Sequence, residues 1–317
     1  MKRQSSIVET TEGSLVAKSA RLWLSKGKKL DDPVPLWHDL WYEGEIACLF
    51  SDSNMGKSIY AVQIADGISR SQPVLYFDFE LSFKQFQMRY TNERGMMHAF
   101  ESNLIRCEID NAMICESVGS LDLSEQIVAM ARRLRVKVII IDNLTYMCND
   151  SESGLAAHDF MVRLTELKKA HGLSVLVLAH TPKRENMTQI TQNDLAGSKR
   201  LFNFFDSVFA IGKSIKGEDV RYIKQLKARS TSIKYGENNV LEAVIVKDDT
   251  MLMFKHGECS PEKIHLEQRK GRSPHEALVD RVRQLRSEGK TIMEIAGALG
   301  VSKSAVGRMV QALTLDL

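Results

Sequence analysis

The chain has 317 residues, of which 44% are hydrophobic, and a formal net charge of +3. This length and composition fit a globular protein of one or two domains, and so small a net charge does not by itself indicate a polyanionic partner. No apolar run approaches the ~20 residues needed to cross a bilayer. The polar start and the five scattered cysteines are typical of a reduced, cytoplasmic protein, so we expect no membrane partner.

The first 33 residues are polar and predict a flexible N-terminal arm. After them, short apolar runs alternate with helical patterns. Several runs are apolar without alternation, which is typical of strands buried on both faces of a parallel sheet, so we predict an α/β domain. The predicted strands are IACLF (46–50), PVLYFDFE (73–80), VKVIIID (136–142), LSVLVLAH (173–180) and DSVFAIG (206–212), and the predicted helices span 57–69, 82–100, 120–134 and 154–171.

The pattern changes at Val220, where three strand-like segments are joined by short turns: VRYIKQLKA, NVLEAVIVKD and MLMFKHG. They predict an antiparallel extension of the sheet edge. The segment CSPEKIHLEQRKGRSP is polar and holds two prolines, which indicates a linker, and the remainder is helical. We therefore divide the chain into an arm (1–33), an α/β domain (34–258), a linker (259–273) and a small all-α domain (274–317).

The first strand leads into LFSDSNMGKS, which is close to the phosphate-loop pattern G-x-x-x-x-G-K-[ST] but has Ser51 in place of the first glycine. Such a loop binds phosphates through backbone N–H groups at a helix N-terminus. Gly56 is present, Lys57 would contact the β- and γ-phosphates, and Ser58 would bind Mg²⁺. Ser51 restricts the backbone but removes no ligand group. The residues expected to contact the nucleotide are Ser53, Asn54, Met55, Gly56, Lys57, Ser58 and Ile59.

Polar residues also end three later strands. Asp142 follows an uninterrupted apolar strand and would hold the metal ion. Glu80, with Asp78 as a competing candidate, would polarise the attacking water. His180 would sense the γ-phosphate. Each residue also has an ordinary structural interpretation, as a turn, a helix start or a polar strand end.

In this order, the phosphate loop, Glu80, Asp142 and His180 resemble the RecA-type ATPase fold, specifically the branch of DnaB-type replicative helicases and the hexameric plasmid helicase RepA. The most specific matches are VIIIDNLTYM, LKKAHGLSVLVLAHTPK and DLAGSKRLFNFFDSVFAIG. The resemblance implies ATP and Mg²⁺ as cofactors. It assigns Lys57 and Ser58 to phosphate and Mg²⁺, Asp142 to the metal, Glu80 to the catalytic base and His180 to the sensor.

The resemblance covers about residues 34–250 and also bears on assembly. QLKARSTSIKYGENN is similar to the stretch from which DnaB-type enzymes contact the neighbouring subunit's nucleotide with a Lys-x-Arg pair, here Lys227 and Arg229. An arginine donated across an interface neutralises charge on the transferred phosphoryl group, so a homo-oligomer, expected to be a hexameric ring, is implied. A solvated basic edge strand is the alternative. The chain departs from the family pattern at Ser51 and at Ala196, where RepA-like chains often carry arginine.

Two loops, residues 147–154 and 181–194, correspond to loops that face the central channel in RecA-type proteins. The second is polar and basic, so its cations would follow a phosphate backbone without reading sequence, although a solvated loop fits equally well. The candidates in this loop and at the next helix are Lys183, Arg184, Lys199 and Arg200.

The C-terminal segment TIMEIAGALGVSKSAVGRMVQAL predicts a helix over 292–299, a turn at Gly300 and a second helix that begins at Ser302, a good N-cap. The spacing of Ala296, Gly300 and Val306 resembles the resolvase- and invertase-type helix-turn-helix. A helical bundle that binds protein is the alternative. The residues expected to face DNA are Ser302, Lys303, Ser304 and Arg308.

These features lead to two main hypotheses. The first is a ring-forming, Mg²⁺-dependent ATPase of the RepA-like type that moves or unwinds DNA, in the plasmid or mobile-element setting that the resemblance implies, with replication or recombination proteins as further partners. The second is a DNA-bound regulator or loader that uses ATP as an assembly switch without unwinding. A KaiC-like signalling ATPase is a third option, but it leaves the helix-turn-helix unexplained.

Overall fold

The computed structural model describes residues 9–13, 15–108, 123–143, 153–181, 188–195, 199–266 and 274–315. The chain divides into two compact units, unit 1 up to Leu266 and unit 2 from Glu267. Each unit has its own hydrophobic core. Among the described residues, no helix has the length and apolar character to span a membrane.

Unit 1 is built on a mixed sheet in which nine described strands lie in the order β13-β12-β11-β10-β5-β9-β8-β6-β7. Two short hairpins precede this sheet: β1 (Glu9–Glu12) with β2 (Leu15–Lys18), and β3 (Pro35–Trp37) with β4 (Trp41–Tyr42). The sheet strands are β5 (Ile46–Ser51), β6 (Val74–Asp78), β7 (Leu104–Cys107), β8 (Val138–Asp142), β9 (Ser174–His180), β10 (Ser207–Lys213), β11 (Val220–Lys227), β12 (Val240–Asp248) and β13 (Met251–Ser260).

The strands from β10 to β7 run parallel, whereas β11, β12 and β13 extend the sheet by antiparallel pairing. Both faces of the parallel part are covered. Cys48 and Phe50 belong to the core on one face, and Ala47 and Leu49 to the core on the other. Burial on both faces explains why these strands carry no polar alternation. The predicted α/β class, with a parallel core and an antiparallel extension, is confirmed.

The described helices of unit 1 are α1 (Ala20–Gly27), α2 (Lys57–Ser69), α3 (Phe83–Arg89), α4 (Leu123–Leu134), α5 (Ser153–His171) and α6 (Lys199–Phe204). The predicted helix over 82–100 is wrong beyond Arg89. There the chain turns through Gly95, whose φ is +78°, and the Asn92 side chain accepts hydrogen bonds from the Arg94 and Met96 N–H groups. The turn chemistry of Asn and Gly overrides the helical pattern. Strand β7 was not predicted.

The predicted linker begins later than its composition indicates, because residues 259–266 belong to unit 1. Glu262 and His265 are buried there despite their polarity. Glu262 accepts hydrogen bonds from the Ile190 N–H (2.9 Å) and the Tyr222 hydroxyl (3.2 Å), so its burial is compensated. Residues 267–273 lie outside the described residues.

Unit 2 contains α7 (Pro274–Ser287), α8 (Ile292–Leu299) and α9 (Lys303–Leu315). Gly300 ends α8 in the left-handed conformation at φ 65°. The Ser302 hydroxyl accepts a hydrogen bond from the Ala305 N–H at 3.2 Å, which is the predicted N-cap contact. Ile295, Ala296 and Val306 are buried together. The helix bounds therefore follow the predicted ones, while DNA binding by this unit stays a prediction.

Candidate active site

The phosphate loop follows β5 and ends at α2. Gly56 has φ +93°, and a Cβ atom built on it would lie 2.9 Å from the Phe254 ring, so both conformation and space require glycine. No described side chain caps α2, which leaves the N–H groups of its first turn directed at a ligand. Ser51 is the last residue of β5 and is not among the described residues with positive φ; Asn54, at φ 61°, takes that conformation instead. The missing glycine is therefore not needed.

Lys57 is buried, and its ammonium group is held by the start of the loop. Its Nζ donates to the Ser51 carbonyl oxygen (3.1 Å), the Ser51 hydroxyl (3.3 Å) and the Asp52 carbonyl oxygen (3.3 Å). It also lies 3.1 Å from His180 Nδ1. Burial lowers the pKa of Lys57, and the carboxylates of Asp142, Glu80 and Asp52 oppose that shift. The hydroxyl of Ser51 thus supplies a contact that glycine could not.

Two substitutions in the loop should have opposite outcomes. Ser51→Gly should leave the Kd for ATP within about threefold, because one hydroxyl contact among several is lost. Gly56→Ala should weaken ATP binding at least about tenfold, because φ +93° and the contact with Phe254 force the loop to move. Titration with a fluorescent ATP analogue measures both. Weak binding by the Ser51 variant together with normal binding by the Gly56 variant would contradict this account.

Asp142 ends β8 and is almost fully buried. Its Oδ2 accepts a hydrogen bond from the Tyr76 hydroxyl at 2.7 Å, whereas Oδ1 accepts no well-formed hydrogen bond from any described residue. Burial raises the pKa of Asp142 to about 6, and the nearby hydroxyls of Ser58 and Tyr76 partly offset this. A buried carboxylate oxygen without a partner, beside a serine hydroxyl, fits Mg²⁺, which prefers oxygen ligands. Ser58 and Asp142 would hold that ion.

Glu80, Asn143 and His180 form a connected group next to Lys57. His180 Nε2 lies 3.3 Å from Glu80 Oε1, and the Asn143 side-chain amide contacts both residues. Since Lys57 can only donate to Nδ1, we assign the proton of the neutral imidazole to Nε2, from which it is donated to Glu80. The hydrogen bond from His180, and then the charges of Lys57 and Arg89, lower the pKa of Glu80. Glu80 is thereby kept ionised and able to accept a proton from water.

Asp78, the competing candidate for the base, has a structural role. Its carboxylate is buried, forms an ion pair with Arg106 at 2.9 Å and accepts hydrogen bonds from the N–H groups of Glu80 and Leu81. Asp78 therefore fixes the turn that carries Glu80, and the geometry favours Glu80 as the group that reaches a water molecule.

The strand register explains why these residues meet. Ser51 of β5 pairs with His180 of β9, and Asp78 of β6 pairs with Asp142 of β8. All four strands are parallel, so the residues at their carboxyl ends lie along one edge of the sheet. With ATP at the α2 N-terminus, Lys57 would neutralise phosphate charge, the Asp142 and Ser58 oxygens would bind Mg²⁺, and Glu80 would orient water.

Lys227 and Arg229 lie at the opposite edge of the sheet. Arg229 forms an ion pair with Asp206 at 3.0 Å, and Asp206 accepts a hydrogen bond from the N–H of Ile46, at the start of β5. The Lys227 ammonium donates to the Phe202 carbonyl oxygen at 3.0 Å. Neither cation is near the phosphate loop of its own chain.

The predicted DNA contacts are only partly described. Lys183 and Arg184 lie outside the described residues, and Lys199 and Arg200 are the first residues of α6. In unit 2 the four candidates, Ser302, Lys303, Ser304 and Arg308, are exposed on the first turns of α9 or at its cap.

Sequence reasoning missed three residues that organise the site: Tyr76, Arg106 and Asn143. Tyr76 reads as an ordinary strand residue, and Arg106 belongs to the strand that was not predicted. Asn143 directly follows the strand-terminal Asp142 and could have been suspected from that position. Their roles depend on which strands are neighbours in the sheet, which spacing along the chain does not reveal.

The geometry agrees with comparisons to known proteins. A family model described as an AAA domain matches residues 16–186, more than half of the chain. A structure of a DnaB-like replicative helicase, solved for its interactions with primase, has a TM-score of 0.56 at 13% identity and covers 74% of this chain and 67% of that chain. A second solved structure, a separate ATPase domain, has a TM-score of 0.54 at 13% identity and covers 74% of this chain and 95% of that chain. No curated protein sequence matches this chain.

Proposed function

The chain belongs to the AAA domain family, and from that premise we propose that it is a Mg²⁺-dependent ATPase that assembles as a ring on DNA and moves or unwinds it. The observation that carries the proposal is the convergence of Lys57, Asp142 and Glu80 at one edge of the sheet. These groups supply the phosphate contact, the metal ligand and the base that ATP hydrolysis requires.

Ring assembly is supported by the position of Arg229. It is exposed at the edge of the sheet away from its own phosphate loop, so an arginine acting on ATP from this position belongs to a neighbouring subunit. Action on DNA is supported by the fold shared with a DnaB-like replicative helicase and by the exposed candidates on α9. A hexamer, a plasmid or mobile-element setting and replication or recombination partners are parts of the same proposal.

A second candidate function is an ATP-switched regulator or loader that assembles on DNA without unwinding it. Unit 2 favours this candidate, because a separate helical unit with its own core can attach the protein to DNA without any motor. Both candidates use the same nucleotide site, so only the use made of ATP distinguishes them.

The two candidates differ in what ATP does to DNA. The proposed motor should hydrolyse ATP faster with single-stranded DNA and should displace the labelled strand of a forked duplex when ATP and Mg²⁺ are both present. A switch would assemble on DNA with ATP but release no strand. Hydrolysis that does not respond to DNA would exclude the motor.

A further inference from the structure

The segment 15–30 is the most basic part of the described N-terminal region, and we refer to it as the basic arm. It contains five lysine or arginine residues and no aspartate or glutamate. The whole chain has a net charge of only +3, so the rest of the chain is net acidic. Such local clustering of one sign indicates a polyanionic partner. The five cations are Lys18, Arg21, Lys26, Lys28 and Lys29.

The cations lie on a formed and exposed element. Helix α1 is capped by Ser19, whose hydroxyl accepts a hydrogen bond from the Leu22 N–H, and none of its residues is buried. The four cations other than Lys18 are exposed. Glu9 of the neighbouring hairpin lies 2.7 Å from Lys18 Nζ and 3.8 Å from Lys26 Nζ. Glu9 therefore offsets part of the charge and leaves the rest facing water.

Trp23 adds an aromatic surface among these charges. It is 50% exposed, and the Lys18 ammonium lies 5.2 Å from its ring centroid. The other two tryptophans, Trp37 and Trp41, are partly and fully buried in unit 1. An exposed indole flanked by cations is the combination that binds single strands: the ring stacks on a base while the cations contact phosphates.

We infer that the basic arm is a binding surface for single-stranded DNA, with Trp23 stacking on a base and Arg21, Lys26, Lys28 and Lys29 contacting phosphates. A lipid surface is the less suitable polyanion, because α1 has only eight residues and too little apolar surface for a stable interfacial helix. The inference rests on the proposed function only for the choice of DNA. It adds a contact surface outside the loops and unit 2.

The test compares three full-length proteins: the parent, an arm variant with Arg21, Lys26, Lys28 and Lys29 changed to Gln, and a control variant. The control replaces one Arg and three Lys elsewhere on the exposed surface of unit 1: Arg133, Lys137, Lys169 and Lys255. Fluorescence anisotropy with labelled oligothymidylate, without nucleotide and over a salt series, gives Kd and its salt dependence. Four lost phosphate contacts should lower the slope of log Kd against log salt by about 3 and weaken binding at least about tenfold.

Tryptophan emission supplies an independent readout of stacking. DNA should quench part of the emission of the parent and of the control variant, and Trp23→Ala should lose that quenching and bind about fivefold or more weakly. Equal DNA binding by the arm and control variants would overturn the inference, as would binding of the parent's arm to phosphatidylserine vesicles but not to DNA. Loss of self-assembly in the arm variant, with DNA affinity retained, would make the arm a subunit interface instead. Failure of the proposed function would differ, because the parent would bind DNA through the arm without DNA-stimulated hydrolysis.

Discussion

Arg229→Ala should lower the DNA-stimulated rate of ATP hydrolysis by about 10³-fold, because it removes the charge that would stabilise the transferred phosphoryl group. The loss should be reversible by mixing. Subunits with Lys57→Ala cannot use ATP but keep Arg229, so adding them to R229A subunits should restore a measurable part of the activity. The measurement is steady-state phosphate release from each variant alone and from an equimolar mixture.

The sheet geometry gives the reason for expecting rescue. Arg229 binds Asp206, which contacts the N–H of Ile46, whereas Lys57 binds the carbonyl of Ser51 at the far end of the same strand. At about 3.3 Å per residue, these ends are about 17 Å apart. Arg229 therefore cannot act on the ATP of its own chain.

A matched control separates rescue from simple stabilisation. Subunits that carry both K57A and R229A have neither group and should give no rescue when mixed with R229A subunits. If R229A alone hydrolyses ATP at the parent rate, or if the mixture is as inactive as its components, Arg229 is only part of a solvated basic edge.

Asp142→Asn should abolish measurable hydrolysis and yet stabilise the protein when Mg²⁺ is absent. Without the carboxylate the metal loses its buried protein ligand. In the metal-free protein, however, the buried charge is a cost. A pKa raised from 3.8 to about 6 corresponds to roughly 3 kcal/mol of unfolding free energy. At pH 7.5 the Tm of the variant should therefore lie about 5 °C or more above that of the parent.

The pH dependence of that gain has a definite sign. A carboxyl group whose pKa is raised by folding costs nothing below 3.8, costs more as the pH rises towards 6, and reaches the full cost above that. The difference in Tm should thus shrink towards pH 4. Mg²⁺ with ATP should raise the Tm of the parent and not that of the variant. A lower Tm of D142N at pH 7.5 in EDTA would show that the Asp142 charge is not a burden.

The sequence predicts the candidate site well because its main parts are local. A buried strand, a glycine before a lysine and a polar residue at a strand end are short patterns. Parallel strands then bring their carboxyl ends to one edge whatever the details of packing. Ser51 could be accepted in the first loop position because the left-handed conformations occur at Asn54 and Gly56.

Long-range contacts could not be read in the same way. The pairing of Tyr76 with Asp142, and that of Arg106 with Asp78, depend on strand neighbours set by topology. The burial of Glu262 could not be foreseen from a polar segment, because its compensating partners lie tens of residues away. The helix predicted through residue 100 ended early because the Asn92 side chain favours a turn.

The measurement that tests the central claim most directly is ATP hydrolysis by the full-length parent and by Glu80→Gln, each with and without single-stranded DNA, in Mg²⁺. The proposed site and function predict that DNA raises the parent rate. They also predict that E80Q binds ATP with similar affinity but hydrolyses it about 10² to 10⁴ times more slowly. A parent that hydrolyses ATP no faster than E80Q, or at one rate with and without DNA, would contradict the account.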